Sequence, residues 1–241
     1  MPSWAEPKPT RRMTGSWGLW PDVVAKNVQS ILDLEKITKE YPMDFVLYGD
    51  SITAFHASYV LSKVTGNNRP WKKHFGDLRA LALGVAGDQV ANVLWRITNR
   101  EKPKVAPKVI GLLVGVNDLI GWGQIGAYVP STVKRLKILI TTISNMYPST
   151  HIIVFALTPV NGTILRKKRQ KHNNAVKKMI AKMTDVNVSF ADAAAVITAS
   201  NGGPIGSDIL ADGVHLTENG HEKHLREMRR FVSDRIFGYN M

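Results

Sequence analysis

Five short apolar runs, alternating with stretches of helical periodicity, constrain this chain more than any other feature. They cover residues 44–49, 80–85, 108–115, 151–157 and, more weakly, 187–191. The runs are apolar at odd and even positions alike, the pattern of strands covered on both faces. Between them, apolar side chains recur every three or four residues. Val90, Val93, Leu94 and Ile97 form one stripe. Val133, Leu136, Ile140, Ile143 and Met146 or Tyr147 form another, and Val176, Met179, Ile180 and Met183 a third. Thr217 is placed to cap a last helix bearing Leu225, Met228, Val232 and Ile236. A helix opening at Pro21 carries Val24, Val28, Ile31 and Leu34 or Glu35. This alternation predicts an α/β fold, a parallel, doubly wound sheet with helices on both faces. The length of 241 residues suits one large domain, over 21–241. Residues 1–20 read as an N-terminal arm whose Trp4, Trp17 and Trp20 pack on the domain or on a neighbour.

In such sheets, sites form beyond the carboxyl ends of the strands. The segments to inspect are therefore Gly49-Asp50-Ser51, Gly84 to Asp88, Gly115 to Asp118, and Asp212-Gly213-Val214-His215 before the last helix. Gly-Asp-Ser has two readings: a turn whose hydroxyl caps the next helix, or a nucleophile held at a strand end. A serine hydroxyl needs a base to take its proton, and His215 is a candidate. Asp212, three residues earlier, is close enough to accept a hydrogen bond from the imidazole, fixing its tautomer and stabilising the imidazolium. An oxyanion needs donors. Candidates are the N–H of Gly87, in a turn at a helix start, the side-chain amide of Asn117 and the N–H of Ser51. Taken singly, each piece is more often a turn or cap. Their order and spacing, each at a strand end, are far more specific.

On these residues the chain resembles the SGNH, or GDSL-type, hydrolases. Gly49-Asp50-Ser51-Ile52 matches their first block, with Ile52 in place of the usual leucine. Gly87 matches the glycine block, Gly115-Val116-Asn117-Asp118 the asparagine block and Asp212-Gly213-Val214-His215 the last. Within the family the chain is most similar to the intracellular platelet-activating-factor acetylhydrolase catalytic subunits, from about residue 21 onward. The stretch from Gly84 to Arg96 and His215-Leu216-Thr217 carry that likeness, with Ala86 in place of a common glycine. The resemblance implies a three-layer flavodoxin-like fold around five parallel strands. It implies Ser51 as nucleophile, His215 as base, Asp212 as orienter, and Ser51, Gly87 and Asn117 as the oxyanion hole. It implies a serine esterase acting on a small, acetyl-like acyl group without a cofactor, in the cytoplasm or an intracellular assembly, with dimers as the suggested oligomer.

Other motifs are set aside on chemical grounds. Gly121-Trp122-Gly123-Gln124-Ile125-Gly126 matches G-x-G-x-x-G but does not join a strand directly to a helix. No acidic residue follows about 20 positions on to hold a ribose. It reads as a loop near Asn117, with Trp122 either lining a substrate cleft or packing. His221-Glu222-Lys223-His224 has the wrong spacing for a zincin, and its histidines are expected on an exposed helix face. No Walker motif and no Gly-x-Ser-x-Gly elbow occur. The absence of cysteine excludes disulfides and thiolate sites, and no metal site is predicted. No apolar run is long enough for a membrane span, and no apolar stretch behind the first charges suggests a secretory signal. The glycosylation patterns at Asn161 and Asn187 then carry little weight.

Charge supplies a second theme. The formal net charge is +13, and no Asp or Glu occurs between Asp118 and Asp185. Arg166, Lys167, Lys168, Arg169 and Lys171 form the densest cluster, extended by Lys177, Lys178 and Lys182. The field favours a polyanion, with phosphate contact rather than base readout because no aromatics are interleaved. A solvated helix face is the other reading. A rival to the enzyme is thus a structural or assembly subunit on the same fold, its basic face and arm joining a larger, nucleic-acid-containing particle such as a virion.

Overall fold

The computed structural model describes residues 20–57, 59–60, 63–64, 69–121 and 129–238. Five parallel strands form the sheet: β1 (Phe45–Gly49), β4 (Ala80–Gly84), β5 (Val109–Leu113), β6 (His151–Phe155) and β7 (Val188–Ala191), in the order β4-β1-β5-β6-β7. Between β1 and β4 lie α2 (Ser51–His56), a short antiparallel hairpin of β2 (Tyr59–Val60) and β3 (Lys63–Val64), and α3 (Arg69–Phe75). The remaining helices are α1 (Trp20–Thr38), α4 (Val90–Asn99), α5 (Val116–Ile120), α6 (Val129–Met146), α7 (Thr163–Ile180) and α8 (Glu218–Phe237). Counted within the large sheet alone, the order is 2-1-3-4-5, the flavodoxin-like winding. The chain reverses direction at β1/β5, so the residues following those two strands flank the switch point, where open sheets place their ligands.

Strand alternation divides the core. Val46 and Tyr48 of β1, Ile110 and Leu112 of β5, and Ile152 and Val154 of β6 face one layer with Ile31 of α1, Val93 and Ile97 of α4, Leu136 and Ile140 of α6 and Val176 of α7. Phe45 and Leu47, Val109 and Leu113, and Ile153 and Phe155 face the other, with Phe75 of α3 and Leu225, Met228 and Val232 of α8. The strands stop earlier than the apolar runs. Val85, Val114 and Leu157 are buried but lie beyond the last paired residues, because the chain there leaves the sheet to build the site loops. Gly115, at φ +132°, turns the backbone into α5. α1 begins at Trp20, one residue before the expected start. Thr217 caps α8 as read from the sequence, its hydroxyl accepting from the Gly220 N–H at 3.2 Å.

One fully buried cation ties the strand ends together. Arg96 of α4 donates from Nε to Asp88 Oδ2 at 2.7 Å and from Nη2 to the Gly49 carbonyl at 2.8 Å. Its Nη1 reaches the Leu83 carbonyl at 3.2 Å and Glu101 Oε2. Asp88 also accepts from Trp20 Nε1 at 2.9 Å, and Glu101 from Asn27 Nδ2 at 2.9 Å. Tyr48 Oη donates to the Glu101 carbonyl at 2.7 Å. Helix α1, strands β1 and β4 and helix α4 thus meet on one guanidinium. Removing it leaves two buried carboxylates without their cation, a change that costs about 3–5 kcal/mol. Arg96→Met is therefore expected to lower the urea unfolding free energy by that amount. A loss below about 1 kcal/mol, the size of an ordinary surface change, contradicts this role.

Candidate active site

The nucleophile candidate stands where the strand stops. Asp50 caps α2, its Oδ1 accepting from the Ile52 N–H at 3.0 Å, so Ser51 becomes the first helical residue. Glycine lets that helix sit on the sheet: a Cβ on Gly84 would come 2.0 Å from the Ala54 nitrogen. Ser51 Oγ lies 2.9 Å from His215 Nε2, and His215 Nδ1 lies 2.7 Å from Asp212 Oδ2. With the proton on Nδ1, the imidazole donates to Asp212 and accepts from the serine hydroxyl. Asp212 Oδ1 takes the backbone N–H groups of Val214 at 2.9 Å and His215 at 3.0 Å. Burial raises the pKa of Asp212, but those N–H groups and the imidazole outweigh it and hold the carboxyl below its ordinary value. Phe55 of α2 stacks on the imidazole of His215, ring centroids 4.8 Å apart at 25°.

The oxyanion candidates converge from the neighbouring loops. Asn117 sits in the first turn of α5, 4% exposed, and spends one amide hydrogen on the Asp88 carbonyl at 2.9 Å. Its neighbour Asp118 anchors that turn, accepting from the Val90 N–H and from Arg135 Nη1, each at 3.1 Å. Gly87 has φ +82°, a left-handed turn conformation suited to glycine. Helix α4 starts at Val90, so the Gly87 N–H belongs to the turn and not to a helix start as the sequence suggested. Among the described residues the N–H groups of Ser51 and Gly87 have no hydrogen-bond partner. Behind the site, burial and the nearby Asp88 and Asp118 push Asp50 up to about 7.

Several expectations are corrected. Arg169 is buried, donating to the carbonyls of Leu157 at 2.8 Å and Gly202 at 3.0 Å, so it braces loops and does not face an anion. Arg166 is half-buried against Gly203, and Lys168 reaches the Leu119 carbonyl at 3.5 Å, whereas Lys167 and Lys171 are exposed. His221 and His224 are buried, not exposed, because they continue the inward stripe of Leu225, Met228 and Val232. Trp122 lies outside the described residues, as do Trp4 and Trp17. Trp20 packs on Trp95 with ring centroids 5.3 Å apart. Sequence reasoning missed the roles of Arg96, Asp88, Glu101, Phe55 and His56. Among the described residues, no group of three or more potential ligands could hold a metal ion, and no helix is long and apolar enough to cross a membrane.

Comparison with known proteins agrees with this architecture. The chain is similar to platelet-activating factor acetylhydrolase IB subunit alpha2 of Homo sapiens, 26% identical over 196 residues, 80% of this chain and 78% of the relative. The Gallus gallus subunit alpha2 is 28% identical with the same coverage. Among solved structures, a GDSL-like lipase of Bacteroides thetaiotaomicron superposes with a TM-score of 0.62 at 16% identity, covering 88% of this chain and 98% of that one. An acetylxylan esterase of Geobacillus stearothermophilus gives 0.59 at 18% identity, covering 80% and 96%. Both share the fold. The model of the GDSL-like Lipase/Acylhydrolase family matches residues 47–223, from the strand before Ser51 to beyond His215, and the chain belongs to that family of ester hydrolases.

Proposed function

We propose that the chain is a serine esterase that removes a small acyl group from an oxygen ester through Ser51, His215 and Asp212. The observation that carries the reading is the hydrogen-bonded relay from Ser51 Oγ to His215 Nε2 at 2.9 Å and from His215 Nδ1 to Asp212 Oδ2 at 2.7 Å. Ser51 Oγ attacks the ester carbonyl carbon while His215 Nε2 takes its proton. The carbonyl oxygen becomes an oxyanion, met by the N–H groups of Ser51 and Gly87 and the second amide hydrogen of Asn117. Collapse breaks the ester C–O bond, and the departing alkoxide takes the proton from His215. Water then attacks the acyl-Ser51 ester with His215 again as base, releasing the acid and restoring Ser51. The relatives' name, an acetylhydrolase, supports acetyl as the acyl group. Their designation as subunits supports an assembly of more than one chain. The catalytic unit is taken as the expected residues 21–241 together with Trp20, which opens α1 and bonds Asp88.

The test is hydrolysis of p-nitrophenyl acetate, butyrate and octanoate. Wild type is expected to favour acetate, and Ser51→Ala to fall to the uncatalysed background. Asn117→Ala, lacking one oxyanion donor, is expected to lose about 10²–10³-fold in kcat. An unchanged rate in Asn117→Ala refutes that assignment.

A specific observation also favours the polyanion reading, compatible with the first. Helices α6 and α7, packed in one layer, carry no carboxylate. Their Lys134, Lys137, Lys167, Lys171, Lys177 and Lys178 are all exposed. This face is proposed to contact the phosphates of a nucleic acid within a larger assembly. Binding of a labelled duplex, read by fluorescence anisotropy, is expected to weaken linearly in log K against log salt. Removing two contacting lysines, as in Lys167→Gln with Lys171→Gln, lowers that slope by about two. Salt-insensitive binding, or none at low salt, excludes the reading.

A further inference from the structure

Three buried imidazoles, His56, His221 and His224, cluster beside Phe55, whose ring also stacks on His215. His56 closes α2, the helix that Ser51 opens, while His221 and His224 stand on α8. His56 Nδ1 and His221 Nδ1 are 2.8 Å apart, with the rings edge to face at 79°. His224 lies 5.6 Å from His56, ring to ring. The Phe55 ring lies 4.8 Å from that of His215 and 6.2 Å from that of His221, nearly parallel to the latter at 9°. His56 Nε2, His221 Nε2 and both nitrogens of His224 are buried with no partner among the described residues. None of these groups takes part in the proposed chemistry.

We infer that His56 and His221 are a positioning pair that holds the helix of Ser51 against α8, and that protonation of this pair parts the two helices and withdraws Ser51 from His215. The inference rests on the catalytic reading of Ser51 and His215. Its ground is the Nδ1-to-Nδ1 contact. A hydrogen bond between two δ nitrogens requires one ring to carry its proton on Nδ1 and the other on Nε2. One added proton can be taken on the donor's Nε2. Once both rings are imidazolium, two N–H groups face each other at 2.8 Å and the bond is lost. Helix α2 has six residues and rises about 1.5 Å per residue, so its ends move together and a shift at His56 is felt at Ser51.

The surroundings oppose charge on the pair. His224 and His215 are the ionisable neighbours that act on it. Glu218 lines a cavity of about 130 Å³ whose wall includes His56, His221, Phe55 and Leu216. Glu222 on α8 is held by Lys73 and His74 of α3, and Asp208 by Lys223 and Asn219. No described carboxylate bonds either imidazole. Burial, reinforced by His215, lowers His221 to about 4, and burial with His221 lowers His224 to about 3. For groups lowered in the folded state, the neutral, bonded arrangement is complete above the ordinary histidine value of about 6.5. It is lost as pH falls toward the folded values.

The test is the acid limb of kcat for p-nitrophenyl acetate, followed at the isosbestic wavelength of the product. A single base gives log kcat against pH a limiting slope of one. The pair raises it to two or more in wild type, with KM and far-UV ellipticity unchanged. Asparagine places a non-titrating polar δ atom where the imidazole has Nδ1, so His56→Asn is expected to return the slope to one. His56→Ala is expected to lose about ten- to a hundredfold in kcat at neutral pH, with His56→Asn recovering most of it. A slope of one in wild type, a slope of two persisting in His56→Asn, or ellipticity lost in step with activity overturns the inference. If wild type hydrolyses no ester, the catalytic reading fails by itself. The pair is then tested without turnover, by long-range ¹H–¹⁵N spectra of histidine-labelled protein. These must show one Nδ1–H and one Nε2–H tautomer for His56 and His221, and two Nε2–H tautomers overturn the pairing.

Discussion

The guanidinium of Arg96 is the interaction on which the candidate site depends. It holds the Gly49 carbonyl, one residue before the cap of α2, and it fixes Asp88, whose own carbonyl orients the amide of Asn117. The nucleophile candidate and one oxyanion donor are therefore aimed through the same buried charge. A buried ion pair adds little net stability beside an apolar replacement, because desolvation offsets its Coulomb gain. Its contribution here is geometric: a planar cation with several donors sets the relative positions of three chain segments that share no covalent neighbourhood. The Asp118–Arg135 pair does the same for α5 and α6 on the other side of the switch point.

The layers were legible because periodicity reports burial directly. The five apolar runs became the five strands, and the stripes on α4, α6, α7 and α8 became the core-facing sides. Asp212 and His215 were legible because their contact is local, within four residues. The link from His215 to Ser51 spans 164 positions; the residues offered His215 only as a candidate base, and resemblance to a family assigned it. Arg96 escaped because a cation inside an amphipathic stripe reads as surface, and its partners are scattered from Gly49 to Glu101. His221, His224 and Arg169 escaped for a related reason. Each has charged sequence neighbours, yet each continues an inward stripe: 221, 224, 225, 228 and 232 on α8, and 169, 172, 176 and 180 on α7. Helical spacing carried that signal, and residue polarity masked it.

Two sets of charges stand apart in the molecule. Asp50, Asp88, Glu101 and Asp118 are buried together with Arg96 and Arg135. Exposed lysines occupy α6 and α7, with no carboxylate on either helix. The first set is internal and fixes geometry. The second is solvated, contributes little to stability, and acts at a distance of about one Debye length. The proposed hydrolysis and the proposed polyanion contact thus draw on different parts of one fold.

Covalent trapping of the serine tests the central claim most directly. Incubation with a fluorophosphonate, followed by intact-mass and peptide mass spectrometry, should give one adduct, on the peptide containing Ser51. The adduct should be absent from Ser51→Ala and strongly slowed in His215→Ala. An unlabelled wild type, or an adduct on another residue that forms equally in His215→Ala, contradicts the account.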